Sequence, residues 1–210
     1  MAGTLREELN RFWIWMGMIP EEFSDLKYFK NSEEDYPHWN DFNRAVDEAI
    51  KSYNDNLDEN MLNDLLEAIA TDESWGDIME SCWYGTYKLK PEARNKMVTH
   101  GLTYFLYQAR FQIVEKIKET SLENKEQLLC DVIENDVDNY VKRMALNNLT
   151  EMNFQKALPY AERYISGDDE YLRLVSLRIL KKADSNLLAQ VRERLEADPF
   201  SIIRDEINKK

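Results

Sequence analysis

The chain has few of the residues that make turns: only 6 glycines and 5 prolines among 210 residues. This shortage disfavours sandwiches and barrels, because many short strands need frequent Gly- and Pro-rich turns. Long stretches rich in Leu, Ala, Glu, Lys, Met and Gln favour helices instead. With 43% hydrophobic and 11% aromatic residues, the composition indicates a globular, all-α protein of one or two domains.

Cysteine and histidine are also scarce, which argues against several kinds of site. Cys82 and Cys130 are isolated within apolar helical patterns. We interpret them as small buried hydrophobic residues in a reducing compartment, not as a disulfide framework. His38 and His100 are far apart in the sequence, and no spacing typical of metal ligands occurs. We therefore expect no metal and no cofactor, and a Cys–His nucleophile pair has no local support.

Glycine-rich phosphate loops and the Gly-x-Ser-x-Gly motif are absent. The apolar run from Phe12 to Ile19 has eight residues, which is too short for a membrane span. The segment before it is acidic, which is wrong for a signal peptide. These absences favour a cytoplasmic protein with no enzymatic activity, no membrane partner and no small-molecule substrate.

Basic residues are few in the N-terminal part of the chain. Residues 1–90 hold 20 acids against 8 bases, whereas residues 91–210 hold 20 acids against 19 bases. The net charge of −13 therefore belongs almost entirely to the first ninety residues. A negative field repels nucleic acid and anionic membranes and speeds association with basic proteins. Solubility alone is the alternative explanation for the acidity.

Two segments near the C-terminus, residues 138–149 and 169–180, resemble each other. Each opens with Asp and continues with an aromatic residue, an apolar–basic pair, a small residue and a closing Leu. Their offset of 31 residues lies in the range typical of stacked helical repeats. Second-helix starts near residues 72, 106, 138, 169 and 198 extend the pattern to about five helical hairpins.

Two amphipathic helices precede the repeats. Apolar residues at helical spacing predict helices over residues 4–18 and 38–54, and an acidic loop with one short helical turn between them. Neither helix matches the repeat, so we predict that both cap the open end of a helical stack. The predicted division is residues 1–55 for the capping helices and acidic loop, and residues 56–210 for one continuous repeat domain.

Residues 128–149, 157–180 and 187–207 resemble HEAT repeats, a family of helical-hairpin repeats. The matching positions are Asp138, Ala145 and Leu149 in the first segment, with Asp169 and Ser176 in the second. The resemblance covers roughly residues 58–208 and implies an α-solenoid of about five hairpins. HEAT-like proteins are mostly scaffolds that bind macromolecules along a curved surface, and a few are enzymes.

The layout of the whole chain also resembles small bacterial HEAT-like immunity proteins, which neutralise a cognate toxin by binding it. In those proteins an acidic, aromatic stretch like residues 35–42 precedes helices like residues 62–83. This second resemblance implies a non-enzymatic protein whose partner is a basic, nuclease-type toxin. The alternatives are a general HEAT-like scaffold or a nucleic-acid-binding enzyme of the DNA glycosylase type.

Basic residues recur at one place in successive units, as Arg110, Lys142, Arg173 and Arg204. One interpretation is a basic groove for nucleic acid. The other is a structural ladder, in which each base pairs with an Asp in the turn of its own or a neighbouring unit (Asp138, Asp169, Asp198). We favour the ladder, because acids and bases occur in register and this part of the chain has no surplus of positive charge.

Aromatic residues crowd together between residues 75 and 107, beside several acids. Most should belong to the core, and acids at helix starts normally cap free amides. Exposed rings surrounded by acids would nevertheless suit a hot spot for a basic protein. The predicted partner-binding residues are Asp35, Tyr36, Asp41, Asp72, Glu73, Trp75, Asp77, Glu80 and Tyr84, and no catalytic residue is predicted.

Overall fold

The computed structural model describes residues 3–23, 31, 33–72 and 75–209. Within these residues the protein is all-helical, as predicted, with twelve α-helices and no strand. The chain forms two compact units, residues 1–122 and 123–210. None of the helices in the described ranges is long and apolar enough to cross a membrane.

The described residues of the first unit form six α-helices and three short 3-10 turns. The helices are α1 (Leu5–Met16), α2 (Trp39–Asn56), α3 (Glu59–Thr71), α4 (Asp77–Tyr84), α5 (Pro91–Gly101) and α6 (Tyr107–Lys116), and the turns are Pro20–Glu22, Glu33–Asp35 and Ile117–Glu119. The predicted helices over residues 4–18 and 38–54 are confirmed as α1 and α2. The predicted acidic loop between them lies partly outside the described residues, at positions 24–30 and 32.

Local sequence signals set the ends of α1. The Thr4 hydroxyl accepts the backbone N–H of Glu7 at 3.3 Å, and the Glu7 carboxylate accepts the N–H of Thr4 at 2.6 Å. This reciprocal capping box satisfies two amides that have no partner within the helix. The helix ends at Gly17, which adopts a left-handed conformation with φ of 72°. Glycine adopts this conformation with little steric strain, because it has no Cβ.

An aromatic cluster holds α1 and α2 together. Tyr36 lies at its centre, with the ring of Phe12 at 5.2 Å and that of Trp39 at 5.4 Å, both edge-on. Both helices also pack against α3 within the same compact unit. The division predicted at residues 55/56 separates capping helices from repeats by role, and it stays a prediction.

The second unit contains the six remaining helices. They are α7 (Lys125–Asn135), α8 (Asn139–Met152), α9 (Phe154–Tyr164), α10 (Glu170–Lys182), α11 (Asn186–Glu196) and α12 (Ser201–Asn208). The starts predicted at Asp138 and Asp169 are confirmed, because these residues are the N-caps of α8 and α10. The Asp138 carboxylate accepts the N–H of Tyr140 at 2.8 Å, and Asp169 accepts that of Leu172 at 2.8 Å.

Two predicted helix starts are displaced along the chain. The helices expected from residues 72 and 198 begin at Asp77 and Ser201. In both cases the aspartate instead ties the preceding loop to the helix that follows. Asp72 accepts the N–H of Ile78 at 2.8 Å, and Asp198 accepts the N–H of Phe200 at 3.0 Å.

Alternate helices of the second unit pack against each other, since α10 contacts both α8 and α12. Ala145 and Ser176, the small residues expected where helices touch, are fully buried. Hydrogen bonds also join α9 to α7, and α11 to the residue that follows α9. The Tyr164 hydroxyl donates to the carbonyl of Ile133, 31 residues earlier, and Arg194 donates to that of Ile165, 29 residues earlier.

We predict that Ala145→Arg will lower the free energy of unfolding by at least about 3 kcal/mol, because it forces a long charged side chain into a closed helix contact. Chemical denaturation followed by circular dichroism measures the change. Gln155→Arg on the exposed side of α9 is the control and should alter stability by less than about 0.5 kcal/mol. Equal stability of both variants would contradict a closed helix contact at Ala145.

Candidate functional site

The structure divides the predicted partner-binding residues into buried and exposed groups. Asp35, Trp75, Asp77, Glu80 and Tyr84 are exposed, and Asp41 is half-buried. Tyr36 and Asp72 are each only 3% exposed, so assigning them to a binding surface was wrong. Glu73 lies outside the described residues.

Tyr36 is buried because its ring is the centre of the aromatic cluster between α1 and α2. Burial raises the pKa of its hydroxyl to about 12, with a further contribution from the negative charge of Glu8. Asp72 is buried because it caps the start of α4 through Ile78. Burial raises the pKa of Asp72 to about 6, although its backbone hydrogen bonds act in the opposite direction. Both residues are therefore structural.

Asp41 lies at the start of α2, where basic residues offset its charge. Its carboxylate is 3.2 Å from the Arg44 guanidinium and 3.9 Å from that of Arg11. Asp35 is exposed in a neighbouring 3-10 turn. These two acids flank the N-terminal aromatic cluster. The two arginines partly neutralise the charge of Asp41, so it would attract a basic partner less strongly than an unpaired carboxylate.

The other exposed candidates lie on or beside α4. Residues 77, 80 and 84 share one side of this helix, because they are spaced by three and four positions. The opposite side supplies buried residues to the core: Ile78, Met79, Cys82 and Trp83. Trp75 just before the helix is 64% exposed, and Tyr84 at its end is 56% exposed. Both rings are therefore accessible to a partner.

Two residues that the sequence analysis missed complete this surface. The Lys116 ammonium lies 2.6 Å from the Glu80 carboxylate and 4.7 Å from the centre of the Tyr84 ring. The Tyr84 hydroxyl donates a hydrogen bond to Glu119, which raises the pKa of Tyr84. We call the set Trp75, Asp77, Glu80, Tyr84, Lys116 and Glu119 the α4 face.

A signal in the sequence could have located the two missing residues. Lys116 follows Glu80 by 36 positions, and Glu119 follows Tyr84 by 35. These separations are close to the length of the predicted repeat, and both residues contact side chains of α4. The completed face presents three carboxylates, one ammonium and two exposed rings. Such a surface can bind guanidinium or ammonium groups while the rings cover apolar atoms.

One of the recurrent basic residues, Arg173, pairs with an Asp as the ladder interpretation predicts. The buried Arg173 guanidinium donates to both carboxylate oxygens of Asp198, at 3.0 Å each, and to the carbonyls of Gly167 and Asp168. The pKa of Asp198 is lowered because the hydrogen bond from Arg173, with smaller contributions, outweighs the effect of burial. Other parts of the expected ladder differ, since Asp138 and Asp169 cap helices.

Arg110 and Arg204 stabilise the loops before their own helices. Arg110 donates to the carbonyls of Tyr104 at 2.8 Å and Phe105 at 3.1 Å. Arg204 donates to the carbonyls of Asp198 and Pro199. The same contact therefore recurs in both units, although the sequence pattern suggested pairing with carboxylates.

A cleft of about 780 Å³ lies between α1 and the following 3-10 turn. On its floor the Trp13 indole donates to Glu67 at 2.6 Å, and Arg6 donates to the same carboxylate at 3.0 Å. Ile14 and Ile19, both exposed, form apolar walls. No local pattern predicts this network, because Arg6 and Glu67 are 61 residues apart.

The cysteines differ from each other. Cys82 is fully buried, as predicted, and burial raises the pKa of its thiol to about 12. Cys130 is only half-buried, so its expected burial is wrong. Across the described ranges, no cluster of three or more His, Cys, Asp or Glu side chains is arranged to hold a metal ion.

We predict that Asp72 makes stability depend on pH. Its folded-state pKa of about 6 lies above the ordinary value of 3.8, so the folded state favours the protonated form. The stabilising contribution is therefore complete below about pH 4 and is lost as the pH rises through about 6. Asp72→Asn does not ionise at this position. Relative to that variant, the free energy of unfolding of the wild type should fall by on the order of 2 kcal/mol over this range.

Urea denaturation of both proteins at several pH values between about 4 and 7 measures this difference. Asp35→Asn, at an exposed carboxylate in the same unit, is the control and should follow the wild-type curve. A constant difference between wild type and Asp72→Asn across the range would show that Asp72 has no raised pKa.

Comparison of the chain with protein families, with characterised proteins and with solved structures finds no significant match.

Proposed function

We propose that this chain is an immunity protein of HEAT-repeat type, which binds and neutralises a basic, nuclease-type toxin. The observation that carries the proposal is the α4 face. There, two largely exposed rings, Trp75 and Tyr84, flank the exposed carboxylates of Asp77 and Glu80. Trp and Tyr are among the residues most enriched in binding hot spots. The neighbouring carboxylates favour a positively charged partner.

The distribution of charge supports the same proposal. The 20 acids among residues 1–90 outnumber the bases by 12, so the approach of a positively charged protein is accelerated. A nuclease must hold phosphates at a positively charged surface. The carboxylates of the α4 face would take the place of those phosphates, while Trp75 and Tyr84 fill neighbouring apolar pockets.

The HEAT-type assignment is supported by contacts that recur at the repeat length. In the second unit, Arg163 pairs with Glu134, 29 residues earlier, and Tyr164 bonds Ile133, 31 residues earlier. In the first unit, Lys116 pairs with Glu80 at a separation of 36. Contacts at a nearly constant separation are expected when equivalent helices of successive hairpins lie side by side.

The positions of the basic residues favour a protein partner over a nucleic acid. Arg110 and Arg173 are buried and donate to backbone carbonyls, so they do not form a phosphate-binding groove. An immunity protein would meet a nuclease-type toxin in the cytoplasm, where the nucleic acid substrates are. We propose that compartment for this chain.

The test uses the gene immediately upstream of the one that encodes this chain. We expect it to encode a large secreted protein whose C-terminal domain is the toxin, and we expect co-expression of this chain to restore growth.

Association of the purified pair should slow by about tenfold between about 50 and 300 mM salt. Trp75→Ala and Tyr84→Ala should each weaken binding by about 30-fold, the value for a hot-spot residue.

Val137→Ala, at an exposed apolar residue of the second unit, is the matched control and should bind like the wild type. Glu80→Gln should reduce the association rate more than it raises the dissociation rate. An association rate that is indifferent to salt would contradict the electrostatic part of the proposal. Unchanged affinity of both aromatic variants would exclude the α4 face as the interface.

A further inference from the structure

Arg143 of α8 lies between two tyrosine rings on the surface of the second unit. The central carbon of its guanidinium is 4.3 Å from the centre of the Tyr140 ring and 4.7 Å from that of the Tyr171 ring. Tyr140 is 38% exposed and Tyr171 is 47% exposed. Contact with two rings restricts the motion of a long side chain, so the guanidinium is held in place before any partner arrives.

The hydrogen-bonding state of Arg143 distinguishes it from the other arginines of this unit. Five of the other six, Arg163, Arg173, Arg178, Arg194 and Arg204, donate to a carboxylate or a backbone carbonyl, and Arg192 forms an ion pair with Glu196 at 2.7 Å. Arg143 makes no hydrogen bond or ion pair with any residue in the described part of the chain, and its described contacts are the two rings. Its N–H donors are therefore available to a partner.

The repeat explains how the two rings come together. Tyr140 and Tyr171 are each the second residue of their helix, α8 and α10, which pack against each other. Arg143 follows Tyr140 by three positions and so lies on the same side of α8. The position equivalent to Arg143 in α10 is Leu174, which is buried. The basic residue is therefore not a recurrent part of the hairpin packing.

We infer that Tyr140, Arg143 and Tyr171 form a second binding site, which takes the carboxylate of an Asp or Glu side chain on a partner protein. A guanidinium presents parallel N–H donors that match the two oxygens of a carboxylate. The half-exposed rings would pack on apolar residues flanking that acid, as Tyr and Arg do in binding hot spots.

The charge of the surrounding unit selects a single carboxylate over a polyanion. Residues 123–210 hold 17 acids against 14 bases, which opposes a nucleic acid or an anionic lipid surface. One acidic side chain in an apolar segment meets little of that repulsion. The site lies in a different compact unit from the α4 face and has the opposite charge preference, so it does not depend on the proposed toxin-binding function.

The experiment follows the side-chain Nε–H resonance of Arg143 in the full chain by NMR. The probes are the capped peptide acetyl-Leu-Glu-Leu-amide, its Leu-Gln-Leu counterpart and inorganic phosphate. We expect the Glu peptide to shift the Arg143 resonance saturably, with an affinity at least about tenfold higher than that of the Gln peptide. We also expect phosphate to bind more weakly than the Glu peptide.

The variant Arg143→Lys retains the charge but loses the paired donors, so the Glu peptide should bind at least about tenfold more weakly, as read from the backbone amide of Tyr171. Arg163→Lys is the matched control. Arg163 also contacts two tyrosine rings, those of Tyr160 at 5.1 Å and Tyr164 at 5.0 Å, but it already donates to Glu134 at 3.0 Å. This control should leave the binding unchanged.

Circular dichroism of both variants checks that the helices are intact. The inference is overturned if the Arg143 resonance does not respond to the Glu peptide, or responds equally to the Gln peptide. Tighter binding of phosphate than of the Glu peptide would also overturn it, as would an equal loss of affinity in Arg143→Lys and Arg163→Lys. A selective loss in Arg143→Lys alone supports it.

Discussion

A helical hairpin has an apolar face that it cannot bury by itself, and the packing of each helix on its neighbours follows from this constraint. In the second unit, α10 lies against both α8 and α12, and residues such as Leu149, Leu177 and Leu180 are fully buried as a result. Each such side chain contributes about 1.5–3 kcal/mol. An exposed ion pair contributes at most about 1 kcal/mol, so apolar burial determines how the helices pack.

Polar groups that this packing draws inside must find partners there, because an unpaired buried charge is costly. Arg173 is satisfied by Asp198 and by two loop carbonyls, and Glu67 by Trp13 and Arg6. Asp72 accepts hydrogen bonds from helix amides, and burial nevertheless raises its pKa. These buried charged residues therefore support the fold.

Groups that the fold does not use are the ones available for recognition. On the α4 face, exposed rings and carboxylates extend beyond what the core of the first unit requires. In the second unit, Arg143 is positioned by Tyr140 and Tyr171 without a hydrogen bond to any described residue. The two proposed surfaces would favour partners of opposite charge, which fits the proposal that this chain binds other proteins.

Short-range patterns in the sequence determined the helices. Apolar spacing predicted α1 and α2, and Asp138 and Asp169 predicted the starts of α8 and α10, because capping and helical periodicity act over one or two turns. The acidic character of the first ninety residues was likewise visible in composition. A local pattern carries these features because the interacting groups are neighbours along the chain.

Only the tertiary structure decided which side chains reach the surface. Tyr36 and Asp72 were predicted to lie on a binding surface, yet both side chains are buried. Lys116 joins the α4 face from a position 36 residues beyond Glu80, and the Arg143 arrangement needs a tyrosine from another helix. The physical reason is that the exposure of a side chain and the pairing of a charged group depend on contacts between distant segments. Those contacts exist only once the helices have packed.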